Sequence, residues 1–96
     1  MTYKAFLAAL RKTKRTWRVE PDGLIRCAKG ACPMGVLMKD HPTPGPALAS
    51  EELGLKYSTA YNIMCGADSP LRLLKKKSEH QARRDLLRAC GLKERP

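Results

Sequence analysis

Six side chains of this chain could bind a metal or act as a nucleophile or base: Cys27, Cys32, Cys65, Cys90, His41 and His80. Cys27 and Cys32 are separated by four residues, a spacing that suits one half of a tetrahedral zinc site. Strong zinc signals contain two such close pairs, and the second pair is absent from this sequence. Cys65 and Cys90 fall on the apolar stripes of separate predicted helices, where a free cysteine behaves as a small hydrophobic residue. We therefore expect no bound metal and no cofactor.

Cys32 is also a candidate nucleophile, because it precedes Pro33 at the predicted start of a helix. The helix dipole at such a position stabilises a thiolate. A cysteine nucleophile needs a base, however, and neither His41 nor His80 lies in a recognisable catalytic frame. Glycine-rich phosphate loops, paired acid and base carboxylates and nucleophile elbows are also missing from the sequence. We expect packing and capping roles for the cysteines, in a protein that is not an enzyme.

Residues 50–63 have the spacing of a helix-turn-helix. A small residue, Ser50, is followed four positions later by Gly54, which can adopt the left-handed conformation that the turn requires. Apolar residues follow at the expected positions, at Leu55, Ala60 and Ile63. The second helix would expose side chains that can contact bases and phosphates: Lys56, Tyr57, Ser58, Thr59, Tyr61 and Asn62. A helical corner of any other function has the same spacing, so the motif leaves both uses open.

Lysine and arginine are concentrated at the two ends of the chain. The formal net charge is +5 over residues 1–27, −1 over 28–69 and +6 over 70–96, which makes +10 in total. Such an excess favours attraction to a polyanion, for which nucleic acid is the default. The corner itself is net acidic, so the phosphate contacts must come from the ends: Lys12, Lys14, Arg15, Arg72, Lys75, Lys76, Lys77 and Arg83. Few aromatic residues are left for stacking on single strands, which favours duplex DNA.

Hydrophobic periodicity predicts a mainly α fold with one short β-hairpin, an α+β class with four to five short helices. The first predicted elements are a helix capped by Thr2 and a hairpin with Trp17, Val19, Ile25 and Cys27 facing inward. Three helices are predicted to start at Pro33, at Pro46 and at Lys56 or Ser58. A last helix is predicted from Ser69-Pro70 to Gly91, with a break near Ser78. The 96 residues are expected to form a single small domain. It comprises a basic helix and hairpin over 1–27, a proline-rich connector over 41–46 and carboxy-terminal helices over 46–91.

Membrane insertion is not expected, because no apolar run approaches the roughly 20 residues that span a bilayer. The apolar first ten residues lack a long hydrophobic region and a cleavage site, so they do not form a secretion signal. We expect a cytoplasmic protein whose cysteines are thiols rather than disulfides. A monomer and a homodimer both remain open.

The order of several short segments resembles small uncharacterised proteins encoded by bacteriophages and prophages. These segments are Trp17, residues 22–26, Cys32-Pro33, residues 53–55, Ala60 with Ile63, Ala67-Asp68, residues 84–87 and Gly91-Leu92. Such proteins commonly have Ala-Ala-Asp where this chain has Gly66-Ala67-Asp68. The resemblance implies no defined activity, but it implies a setting in which small proteins regulate transcription or disable host defence complexes, including RNA-guided ones. We expect a regulator that binds duplex DNA; the alternative is an anti-CRISPR-like inhibitor that binds an acidic surface of a host protein or nucleoprotein.

Overall fold

The computed structural model describes residues 1–39, 41 and 44–93. Within these residues the elements are α1 (Tyr3–Arg11), β1 (Trp17–Val19), β2 (Ile25–Cys27), α2 (Pro33–Leu37), α3 (Pro46–Leu53), α4 (Tyr57–Asp68), a 3-10 helix (Leu71–Leu73) and α5 (Lys77–Ala89). The two strands pair antiparallel as a hairpin. The mainly helical α+β class predicted from the sequence is confirmed.

Short-range chemistry sets most helix ends where the sequence predicts them. The Thr2 hydroxyl accepts a hydrogen bond from the Ala5 N–H at 3.1 Å and caps α1. Proline occupies the first position of both α2 and α3, where its missing N–H costs no helical hydrogen bond. Gly54 ends α3 with a φ of +70°, as the predicted corner between α3 and α4 requires.

Helix α4 is central and packs against α3, α5, α2 and β2. The hydrophobic core around it contains Phe6, Leu10, Ile25, Met34, Ile63 and Leu86, all essentially inaccessible to solvent. Helices α4 and α5 cross closely at Gly66, where a Cβ atom would lie 2.8 Å from the Arg83 backbone nitrogen. A residue with a side chain at this position would push the two helices apart.

The hairpin buries Trp17, Ile25 and Cys27, as predicted. The prediction for Val19 is wrong, because 41% of this residue is exposed. Val19 ends a strand of only three residues beside the turn, and the elements that bury its cross-strand partner Ile25 leave Val19 open to solvent. The Arg26 guanidinium anchors β2 to the carboxyl end of α4 through an ion pair with Asp68 at 2.6 Å.

The last predicted helix does not run from residue 69. Residues 71–73 form a 3-10 helix, and α5 starts only at Lys77, just before the predicted break. The Glu79 carboxylate accepts hydrogen bonds from the backbone N–H groups of Lys75 and Lys76, which marks a new helix start instead of a continuous helix.

Part of the predicted proline-rich connector, Pro42 and Thr43, lies outside the described residues, whereas Pro44 is described and buried. In the described part of the chain, no helix combines the length and hydropathy needed to cross a bilayer.

Candidate nucleic-acid interface

The amino-terminal half of α4 is open to solvent, and its carboxyl half is buried. Tyr57 is 56% exposed and Tyr61 is 44% exposed, with Lys56 and Ser58 also exposed beside them. Thr59 and Asn62 are half-buried, and the inward positions Ala60, Ile63, Gly66 and Ala67 belong to the interior. Only the first turns of α4 can therefore contact a large ligand, which is also the part of a recognition helix that contacts bases.

The three consecutive lysines at the start of α5 lie beside the middle of α4, where its exposed half ends. The Ser78 hydroxyl donates to the Asn62 carboxamide oxygen at 3.4 Å. The side chains of Tyr61, Cys65 and Glu79 lie near one another, because each affects the pKa of another. We define the Lys–Tyr surface as the solvent-reaching residues of the first half of α4 and its cap, with the lysine segment that the Ser78 to Asn62 contact places beside them: Lys56, Tyr57, Ser58, Tyr61, Asn62, Lys75, Lys76 and Lys77.

Three contacts hold the lysine segment in place. Leu74 is buried and ties the segment to the interior. A ring nitrogen of His80 lies 3.0 Å from the Leu74 carbonyl oxygen. Glu79 accepts from the N–H groups of Lys75 and Lys76 at 3.1 and 3.0 Å, and these hydrogen bonds hold the pKa of its carboxyl below its ordinary value. The Glu79 carboxylate places a negative charge at this helix start, which opposes an anion there, so the exposed lysine side chains are the groups left to bind an anion.

Tyr61 and Cys65 are both uncharged at neutral pH. Burial is the main cause that raises the pKa of the Cys65 thiol, and the hydrogen bond to that thiol raises the pKa of Tyr61. Tyr61 lies on the exposed half of α4, where 44% of the residue is accessible to solvent. It presents an aromatic surface with one polar edge.

The basic residues near the amino terminus lie at the other end of α4. Lys12 and Lys14 are exposed and Arg15 is half-buried, in the segment that leads into β1. The hairpin that follows is anchored on Asp68, at the carboxyl end of α4. Tyr57 and Asp68 are the first and last residues of α4, about 16 Å apart along its axis. The structure brings the carboxy-terminal lysines to the predicted recognition helix and places the amino-terminal cluster beside the hairpin.

Arg83 and Arg72 also differ from the other predicted contact residues. Arg83 is buried, and its guanidinium donates to the carbonyl oxygens of Gly66 at 3.0 Å and Ser69 at 3.2 Å. Desolvation lowers the pKa of this group. A side chain in this position caps the end of α4 and cannot reach a phosphate. Arg72 is exposed on the 3-10 helix, beyond the carboxyl end of α4.

Glu79 and Cys65 lie beside the Lys–Tyr surface, and the sequence does not predict that either residue supports it. Glu79 stands three residues after the helix cap, the usual position of a capping-box glutamate, but the cap itself is Lys76 rather than serine or threonine. Cys65 stands four residues after Tyr61, a spacing that places both on one helix face. Both signals exist in the sequence, but each is too common to single out a site.

The cysteines and histidines do not converge. No group of three or more His, Cys, Asp or Glu residues in the described ranges is arranged to hold a metal ion. The Cys32 thiol accepts a hydrogen bond from the Gly35 N–H at 3.2 Å and caps α2. Burial nevertheless raises the pKa of Cys32, because desolvation outweighs the hydrogen bonds that favour the thiolate. Its structural role is to cap a helix as a thiol.

Comparisons of this chain with protein-family models, with curated proteins and with solved structures found no match. The function is therefore inferred from the Lys–Tyr surface itself.

Proposed function

We propose that this protein binds duplex DNA through the Lys–Tyr surface and acts as a regulator. One observation carries the proposal: three consecutive lysines immediately precede Ser78, whose hydroxyl contacts Asn62 in the exposed half of the predicted recognition helix. The amino-terminal half of α4 would enter the major groove, which is wide enough for one helix. Lys75, Lys76 and Lys77 would bind the flanking phosphates.

The exposed side chains divide into reading and positioning groups. The Asn62 carboxamide can pair with the N6 and N7 atoms of an adenine, provided that the long hydrogen bond from Ser78 opens. The hydroxyl groups of Tyr57 and Ser58 can reach phosphate oxygens, which carry no sequence information. Asn62 is therefore the residue that we expect to set the sequence preference.

Two exposed acids restrict the orientation of the complex. Glu51 and Glu52 lie on α3, next to the corner at Gly54. They would repel a phosphate backbone that ran along α3. The contacts of the protein with the phosphate backbone of the DNA must then lie on the lysine side of α4, away from α3.

A pair of matched double variants tests this proposal. Lys75→Gln with Lys77→Gln removes two positive charges from the Lys–Tyr surface. Lys29→Gln with Lys93→Gln removes the same charge from exposed positions after β2 and after α5. Binding to a fluorescent duplex is measured by anisotropy over a range of salt concentrations. If each lysine neutralises one phosphate, the first variant should flatten the log–log salt slope by about 1.8 and weaken binding about 60-fold near 0.1 M salt.

The control variant should keep the slope of the wild-type protein, with a loss of a few-fold through long-range attraction. Equal losses in the two variants would refute a localised interface and indicate attraction by net charge alone. Asn62→Ala should reduce the preference among duplex sequences and leave the salt slope unchanged. No binding of the wild-type protein to any duplex at low salt would refute the regulator function.

The alternative function, inhibition of a host nucleoprotein complex, is favoured by the two exposed tyrosines. Tyr57 and Tyr61 are of the residue type that most often anchors protein interfaces. An acidic protein surface would be complementary to the lysines around them. The alternative predicts no binding to naked duplex, together with binding to a purified RNA-guided complex that Tyr57→Ala and Tyr61→Ala abolish.

A further inference from the structure

The 3-10 helix exposes two large apolar side chains that the Lys–Tyr surface does not use. Leu71 and Leu73 are 56% and 57% exposed, and the exposed Arg72 lies between them in the chain. They follow the carboxyl end of α4, whereas the Lys–Tyr surface lies at its amino end. Exposed leucines of this kind commonly mark a contact with another molecule.

The hairpin turn lies directly beside this segment and carries the opposite charge. A Cβ atom at Gly23 would be 3.0 Å from the Pro70 Cα, so the turn touches the start of the 3-10 helix. Next to it, an open groove of about 450 Å³ is lined by Glu20, Pro21, Asp22, Leu24, Arg26 and Gly30. The patch therefore combines a projecting apolar segment carrying one arginine with a groove that has two acids, apolar residues and Arg26, whose charge is paired with Asp68.

We propose that this patch binds a second copy of the chain. Leu71 and Leu73 of each copy would fill the groove of the other, and Arg72 of each copy would face Asp22 of the other. The 3-10 helix and the groove are neighbours in each copy. A two-fold axis near the contact of Gly23 with Pro70 would therefore place the leucines of each copy in the groove of the other at the same time. Such an interface is closed and self-complementary, the commonest arrangement in homo-oligomers.

The charges of the patch favour a second copy over a polyanion. Asp22 is exposed, and Glu20 is balanced by an ion pair with Arg18 at 2.9 Å, so nucleic acid would gain little here. A partner needs one arginine to meet Asp22 and two leucines to fill the groove, and this chain carries that set beside the groove. The formal charge of +10 opposes association, but salt near 0.15 M screens charges beyond about 8 Å.

Sedimentation equilibrium of nucleic-acid-free protein tests the proposal, at about 0.15 M salt so that charge repulsion is screened. The mass should rise with concentration from 10.7 kDa towards twice that value. Leu71→Ser with Leu73→Ser should raise the dissociation constant about 100-fold or more, because four leucine side chains lose their burial. Both residues are largely exposed, so the variant should keep the wild-type circular dichroism spectrum. A mass that stays at 10.7 kDa up to millimolar concentration would overturn the proposal.

Exchanging the charges of Arg72 and Asp22 tests whether these two residues pair across the interface. Arg72→Glu alone and Asp22→Lys alone should both be monomeric, because like charges would then meet. A mixture of the two variants should dimerise again, since every contact in the mixed dimer pairs an acid with a base. Dimerisation of either single variant at the wild-type strength, or a mixture that stays monomeric, would refute this interface.

Discussion

Replacing Gly66 with alanine tests the helix crossing that positions the Lys–Tyr surface. Gly66 lies inside α4, where helix propensity alone predicts that alanine stabilises the protein by about 1 kcal/mol. The structure predicts the opposite sign. A Cβ at this position would lie 2.8 Å from the Arg83 nitrogen, 3.1 Å from the Arg83 Cα and 3.2 Å from the Ala82 carbonyl carbon.

The magnitude follows from the kind of atoms that the new methyl group meets. All three belong to the backbone of α5, so no side-chain rotation can relieve the overlap. Overpacking of a tight interior costs typically about 1 to 3 kcal/mol. Separating the helices would also weaken the hydrogen bond of 3.0 Å from Arg83 to the Gly66 carbonyl oxygen, and a hydrogen bond from a charged donor is worth about 1.5 to 3 kcal/mol. After the gain in propensity, we expect a net loss of about 2 kcal/mol.

Urea unfolding followed by the fluorescence of Trp17, the only tryptophan, measures this difference. Thermal unfolding should show a melting temperature lower by about 8 to 16 °C for a domain of this size. Gly45→Ala is the matched control, because no heavy atom of the described residues lies within 4 Å of the added Cβ, and we expect a change below about 1 kcal/mol at this helix cap. A Gly66→Ala variant more stable than the wild-type protein would refute the close crossing of α4 and α5.

Three further outcomes are expected. Trp17→Ala should destabilise the protein by about 3 to 5 kcal/mol, because it removes a large buried aromatic side chain; an unchanged melting temperature would contradict the buried position of Trp17. Because Glu79 has a lowered pKa, its carboxylate stabilises the fold above its ordinary pKa of 4.5, and this contribution is lost as the pH falls through the lower folded value. The urea midpoint of the wild-type protein should therefore fall more steeply below pH 4.5 than that of Glu79→Gln, and parallel curves would contradict the capping role. Burial raises the pKa of Cys32 and raises that of Cys90 to about 12. Both thiols should therefore react with a disulfide reagent far more slowly in the native protein than in urea. Fast labelling of native Cys32 at neutral pH would contradict this prediction.

Local chemistry predicts most of the helices and the hairpin. The Thr2 cap, the helix-starting Pro33 and Pro46 and the corner glycine Gly54 act through contacts within a few residues, so the sequence is sufficient to locate them. The errors occur where distant contacts decide. Leu74 enters the core and Glu79 starts a new helix, so the predicted long helix from residue 69 is interrupted and leaves Leu71 exposed.

The sequence by itself determined the charge of the chain, the spacing of the corner and the side chains that α4 offers to a ligand. Only the tertiary structure decided which basic residues share that surface. Lys75 and Lys77 belong to it because Ser78 holds the start of α5 against α4 at Asn62 and Glu79 fixes the residues just before that start. Arg83 is excluded from it because Gly66, seventeen residues earlier, lets the two helices cross closely and offers its carbonyl oxygen to the guanidinium. The periodicity of one helix shows which residues share a face, whereas the neighbour that covers the face depends on packing between segments far apart in the chain.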